Sequence, residues 1–148
     1  MKFSEVSGYD VPISLLLEAD PCEKSIRQYR DDSWCFVYQE NNQIVAACIA
    51  KLISDNTAQV YNISVEPDYQ KQGIGSELLT FALQQMQAKQ VNRIELGTGS
   101  FGYQLSYYQQ LGFRVDSVIK DHFITHYDEA IFENGIQHKD MLRLYLDL

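Results

Sequence analysis

SVEPDYQKQGIGSELL, residues 64–79, joins the end of an apolar run to the start of a helical pattern through a polar turn and two glycines. Glycines let the backbone approach a ligand closely and take unusual dihedrals. The first N–H groups of the helix that follows have no internal partner, and the helix dipole adds positive potential there. Such a joint is an anion site. The triphosphate-binding loop requires Gly-Lys-Ser/Thr, whereas Gly75 is followed by Ser76-Glu77. The dinucleotide fingerprint requires a third glycine where Leu78 stands. The pattern Gln/Arg-x-x-Gly-x-Gly/Ala is met by Gln70-Lys71-Gln72-Gly73-Ile74-Gly75. A pyrophosphate fits such a loop, with Lys71 adding charge at the rim. A glycine-rich turn that only starts a helix satisfies the same residues, so the loop by itself leaves both readings open.

Working outward, KFSEV alternates and reads as a first strand, and residues 11–33 read as two short helical pieces with Pro12 and Pro21 in first-turn positions and Asp20 as a cap. SWCFVYQE and QIVAACIAKLI are strands joined by Asn41-Asn42, a pair that tolerates positive φ in a tight hairpin. A two-residue loop pairs Glu40 with Gln43 and sets Cys35 opposite Cys48. TAQVYNISV is a fourth strand rich in β-branched residues. Gly75 to about Gln90 carries the apolar stripe Leu78, Leu79, Ala82, Met86 of a helix. NRIELGT is a fifth strand, and YQLSYYQQ is a helix stopped at Leu111-Gly112. FRVDSVIKD and KDMLRLYL are the last two strands, and HFITHYDEAIFENGIQH between them reads as an irregular connection. The crossover helix implies parallel fourth and fifth strands. The expected fold is a mixed α/β sheet of about seven strands with helices on both faces, in a single domain over residues 1–148.

The chain has 148 residues and a formal net charge of −8. That acidity disfavours a phosphate-backbone partner, so no nucleic acid is expected, and it favours a cationic one. The longest apolar run, Ile44 to Ala50, is far short of a membrane span, and the first ten residues carry no apolar signal core. Cytoplasmic location with no membrane partner is the expectation. Cys22, Cys35 and Cys48 form no Cys-x-x-Cys pair and read as reduced thiols.

YNISVEPDYQKQGIGSELL, RIELGTG and LSYYQQLGF, in this order, resemble the acetyl-CoA loop, fifth strand and following helix of the GNAT superfamily of N-acetyltransferases. Ser106-Tyr107 stands where the family usually has Ala-Leu. The resemblance spans residues 1 to about 120, and the tail resembles a bacterial branch of the same family. It implies the GNAT-like acyl-CoA N-acyltransferase fold, in which the fourth and fifth strands splay. It implies that backbone N–H groups of Lys71 to Ser76 hold the pyrophosphate of coenzyme A, and that Ile63, Ser64 and Val65 pair with the pantetheine arm. A Val65 N–H would also stabilise the oxyanion of the thioester.

The implied reaction is attack of a primary amine, on a small molecule or a peptide, upon acetyl-CoA in a ternary complex. An alkylammonium of lysine type has a pKa of ~10.4 and must lose a proton, and a departing thiolate with a thiol pKa of ~8.5 is helped by gaining one. By resemblance Tyr108 is the acid, with Tyr107 the nearest competitor. Glu95 occupies a base position of the ribosomal-protein branch, with a solvent-facing strand carboxylate as its other reading. Gln59 stands where some members carry a base glutamate and cannot take a proton, which leaves water or another carboxylate as further routes. The family's asparagine after the fifth strand is absent from GTGSFGY, leaving Thr98 and Ser100 to replace its cofactor contact. The tail is implied to border the acceptor cleft, where His126, Tyr127, Asp128 and Glu129 would meet a cationic amine. His122 and His126 would suit a metal only on a helix, so no metal is expected. Self-association into a homodimer is left open. The rival reading, resting on the missing asparagine and on Gln59, is a non-catalytic acyl-CoA sensor; a third is transfer of a longer acyl group.

Overall fold

The computed structural model describes residues 2–148. They pack as two compact units, one running to Asn92 and including Leu148, the other Arg93–Asp147.

The first unit contains β1 (Lys2–Val6), α1 (Ile13–Leu16), α2 (Glu23–Arg30), β2 (Trp34–Glu40), β3 (Gln43–Ser54), β4 (Thr57–Val65) and α3 (Ile74–Ala88). Its strands follow the order β1-β2-β3-β4, each antiparallel to the next. Asn41 and Asn42 take φ of +54° and +62°, and Glu40 pairs with Gln43 as the two-residue loop requires. One face of the sheet, through Cys35, Val37, Ala47 and Ile49, packs on α1 and α2. The other face meets α3, where the Phe36 and Phe81 rings lie 6.2 Å apart.

The expected pairing of Cys35 with Cys48 is corrected. Between Gln39↔Ile44 and Tyr38↔Ala46 the register shifts, leaving Val45 as the extra residue of a bulge. Cys35 therefore pairs with Ile49, and Cys48 with Phe36. The two thiols point to opposite faces and are free. Burial pushes the Cys35 thiol up to about 12, with the Asp10 and Glu5 charges adding to it, and burial raises Cys48 as well.

The second unit contains β5 (Arg93–Gly99), α4 (Tyr103–Gln110), β6 (Arg114–Ile119), α5 (His122–His126), β7 (Phe132–Glu133), β8 (Ile136–Gln137) and β9 (Met141–Asp147). Its long strands run in the order β5-β9-β6, antiparallel throughout. Gly112 takes φ +104° after α4, the left-handed stop expected there. The connection after β6 is not irregular. It forms the short helix α5 and a β7–β8 hairpin turning at Asn134 and Gly135, both at positive φ. His122 and His126 thus share a helix face, with ring centroids 4.5 Å apart. The backbone carbonyl of Asp121 accepts the amide of Thr125 at 2.9 Å to open α5, a local contact that hydrophobic periodicity does not reveal. Among the described residues no helix is long and apolar enough to cross a membrane.

A Cβ on Gly99 would enter the ring of His138, which is stacked on Phe101 and tied to Glu133 and so has nowhere to move. Gly99→Ala is expected to lower unfolding free energy by about 1–3 kcal/mol in urea titration. Gly135→Asn, at a left-handed position with open space around its Cβ, is expected to stay within about 1 kcal/mol of the parent.

Candidate active site

β4 ends in a 3-10 turn at Pro67–Tyr69, which leads through Gln70–Gly73 into α3. Gly73 caps the helix at φ +83°, and Lys71 is left-handed at +62°. The first ladder bond of α3 runs from Glu77 N–H to the Gly73 carbonyl at 3.1 Å. The N–H groups of Gly73, Ile74, Gly75 and Ser76 therefore precede the ladder. Ile74 is buried and pins the turn to the core, while Gln70 to Gly73 are exposed. A Cβ on Gly73 would meet none of the described residues within 4 Å, so there is open space beside the turn. Amides, dipole and open space suit an anion of pyrophosphate size.

Gln70 is tied to the strand that precedes the loop. Its side-chain amide donates to the Val65 carbonyl at 2.9 Å and braces the loop against the strand end. Gln72 likewise donates to the Asp68 carbonyl at 3.3 Å.

The amide of Glu66 donates to the Val45 carbonyl on β3 at 2.8 Å. By strand alternation Ser64 also turns its backbone groups to β3, while Ile63 and Val65 turn theirs to the opposite edge. Gln70 reaches Val65 from that edge. Of the three residues expected along a pantetheine arm, Ile63 and Val65 have suitable backbone direction and Ser64 does not. The Ser64 hydroxyl donates instead to the buried Asn62 side chain.

In the second unit Tyr108 lies on α4 and is 7% exposed. Edge-on contacts with Tyr107 and Phe113, at 5.1 and 5.8 Å between centroids, fix its ring direction. Tyr107 is half-buried on the neighbouring position. Glu95, on β5, accepts from Arg93 Nε at 3.0 Å and from Arg143 Nη2 at 3.2 Å. Burial raises its pKa, but the two arginine hydrogen bonds and charges outweigh that and hold it below the ordinary carboxylate value. A carboxylate so held is a weak base. Its geometry suits it to bracing β5 against β9.

His126 ends α5, Tyr127 follows it with its ring 5.9 Å from Phe123, and Asp128 and Glu129 are exposed beyond. Burial, then the charges of His126 and Arg143, push the His122 pKa down and favour its neutral ring. Among the described residues no group of three or more His, Cys, Asp or Glu side chains is placed to hold a metal ion.

The loop that lacks the family's asparagine is held in another way. His138 lies flat on Phe101, with centroids 4.2 Å apart and planes 10° apart, and its Nε2 is 2.9 Å from Glu133 Oε1. Gly99 and Gly102 leave room for the His138 ring and the Glu133 carboxylate. Thr98 is buried, its hydroxyl without a hydrogen-bond partner among the described residues, and Ser100 is exposed. Motif reading passes over this clasp. The two glycines flanking Phe101 are its sequence signal, marking a close approach by another segment.

The sequence model of the Acetyltransferase (GNAT) family matches residues 9–113, a span that runs through both units. An uncharacterized N-acetyltransferase of Bacillus subtilis (strain 168), YvbK, is 38% identical over 135 residues, covering 90% of this chain and 87% of its own. The solved IAA acetyltransferase of Bacillus cereus ATCC 14579 superposes with a TM-score of 0.93 at 34% identity, covering 99% of each chain. A GNAT family acetyltransferase from Elizabethkingia anophelis, solved with acetyl-CoA bound, does so with a TM-score of 0.93 at 33% identity, covering 99% of this chain and 97% of its own. A glycine loop with open N–H groups, an α/β fold shared over nearly the whole chain, and this family match have one meaning: the chain belongs to the GNAT family of acetyltransferases.

Proposed function

We propose that this chain, acting over residues 1–148 as one functional domain, transfers the acetyl group of acetyl-CoA to a primary amine by direct attack in a ternary complex. The carrying observation is the turn at Gly73, whose open flank and helix-starting amides suit a pyrophosphate. The similar Elizabethkingia anophelis enzyme was solved with acetyl-CoA bound. The backbone N–H groups around Lys71–Ser76 hold the pyrophosphate, each hydrogen bond to a charged oxygen contributing roughly 1.5–3 kcal/mol. Ile63 and Val65 hold the pantetheine arm along the β4 edge, and the Val65 N–H receives the developing oxyanion.

The amine attacks the thioester carbon as a neutral nucleophile, forming the N–C bond. The tetrahedral intermediate then expels the thiolate, breaking the C–S bond. Tyr108 gives its phenolic proton to the departing sulfur, the proton released from the nitrogen leaves to solvent, and the Tyr108 phenolate takes a proton back from solvent. The arginine pair on Glu95 argues against a proton ending there. The acceptor is a cationic amine in its resting form, drawn by the net charge of −8 and met by the exposed Asp128 and Glu129 beside His126 and Tyr127.

Gly73→Glu places a carboxylate in the open space of the loop. Calorimetric titration is expected to find no coenzyme A binding to the folded variant; unchanged affinity would sink the loop assignment. Tyr108→Phe is expected to lower kcat about a hundredfold or more with cofactor affinity intact, as loss of a general acid should. A near-parent kcat with chemistry rate-limiting removes Tyr108 from the mechanism. The Asp128→Asn, Glu129→Gln double variant is expected to raise the acceptor KM several-fold and flatten its salt dependence, because exposed pairs contribute only about 0.2–1 kcal/mol each. Loss of kcat at constant KM would instead put one of these carboxylates in the chemistry.

A further inference from the structure

β4 carries a second bulge, and a closed polar network holds it. The β3–β4 register shifts between Ile49↔Asn62 and Ala50↔Val60, leaving Tyr61 as the extra residue. In such a bulge consecutive side chains turn to one side. Tyr61 and Asn62 both meet Tyr29 of α2. The Tyr61 ring stacks on the Tyr29 ring with centroids 5.2 Å apart and planes at 23°. The Asn62 amide donates to the Tyr29 hydroxyl at 2.9 Å and to the Leu16 carbonyl at the end of α1 at 3.0 Å. Tyr29 passes its own proton to Asp20 Oδ2 at 3.0 Å, and Asp20 Oδ1 accepts the Cys22 amide at 3.0 Å. The Asn62 carbonyl oxygen accepts the Ser64 hydroxyl. Asn62 is 4% exposed and Ser64 2%, and both amide hydrogens and the amide oxygen of Asn62 are used.

This network decides the phase of the strand beyond it. Without the extra residue, every position after Tyr61 would reverse direction. Ser64 would turn its backbone groups to the outer edge, and Ile63 and Val65 would turn theirs to β3. Asn62 would face the apolar layer under α3, where its amide has no partners and its burial is costly. The observed register is the one that satisfies Asn62, and it is also the one that offers Ile63 and Val65 outward.

We propose that Asn62, keyed by Tyr29, Asp20, Ser64 and the Leu16 carbonyl, is a positioning residue for cofactor binding: it locks the β4 bulge and so sets which backbone groups face the pantetheine arm. This rests on the reading that Ile63 and Val65 hold that arm. Asn62 touches no reacting atom. Its effect passes through the strand.

The test compares coenzyme A affinity by calorimetry, and the KM for acetyl-CoA against kcat, in the intact chain and four variants. Asn62→Leu removes the key, Tyr29→Phe removes only the hydroxyl and keeps the stack, and the double variant combines them. Ile26→Val, in the same core with 0% exposure, is the control for simple loss of stability. Asn62→Leu is expected to weaken coenzyme A about tenfold or more, and Tyr29→Phe several-fold, with KM moving more than kcat. The double variant should bind no worse than Asn62→Leu alone, since both remove one network. Ile26→Val should lower the melting temperature and leave affinity unchanged. If Asn62→Leu does not fold, Tyr29→Phe carries the test. Folded variants that bind coenzyme A as the parent does overturn the lock alone. A parent chain that binds no coenzyme A overturns both the lock and the reading beneath it.

Discussion

The phase of the two central strands is the constraint on which the first unit depends. Side chains alternate with period two, so one extra residue reverses everything beyond it. Two of this unit's register shifts bear on its inner layers and its strand end. Val45 is the extra residue on β3, and it moves Cys35 and Cys48 from a facing pair to opposite sides of the sheet. Tyr61 is the extra residue on β4, and it turns Asn62 and Ser64 to the α1–α2 layer. The Val45 carbonyl then accepts the Glu66 amide, so the first bulge also anchors the strand end that leads into the glycine loop.

The chain is strongly acidic, yet the anion site proposed at its loop calls on peptide groups rather than basic side chains. Partial charges on peptide groups are available there because the helix start leaves its first amides outside the ladder. Gly73 makes the turn at φ +83°, and the side-chain amides of Gln70 and Gln72 tie the loop to the strand end and the preceding turn. In the second unit charge is used for the opposite purpose. Arg93 and Arg143 neutralise Glu95, and Arg93 also reaches Asp147 and stacks on the Tyr145 ring at 4.3 Å. A carboxylate engaged in that way stabilises strand pairing and gives up basicity.

The β5–α4 loop shows how a family position can be vacated. With no asparagine after β5, the loop is held by the His138 ring lying on Phe101 and over Gly99, and by Glu133 beside Gly102. Both holding residues come from the segment around the β7–β8 hairpin, His138 lying 39 positions beyond Gly99 and Glu133 31 beyond Gly102. Their packing fixes the start of α4, the helix that carries Tyr108.

Much of this was legible in the sequence because its causes are local. Strand alternation, the Asn41-Asn42 hairpin, the apolar stripe of α3, the glycine stop at Gly112 and the glycine turn at Gly73 each follow from a few adjacent residues. The family resemblance followed from the same stretches. What the sequence did not disclose depends on partners distant in the chain. A bulge changes no residue type, so the Cys35 register and the direction of Ser64 could not be read. Asn62 looked like any polar residue on a strand until α1 and α2 supplied its partners. Glu95 looked like a free carboxylate until Arg143, 48 residues away, closed on it. Local sequence determined most of the elements and the glycine turn before α3. Tertiary structure decided which polar groups were left to do chemistry, because burial and pairing set the direction and proton affinity of each.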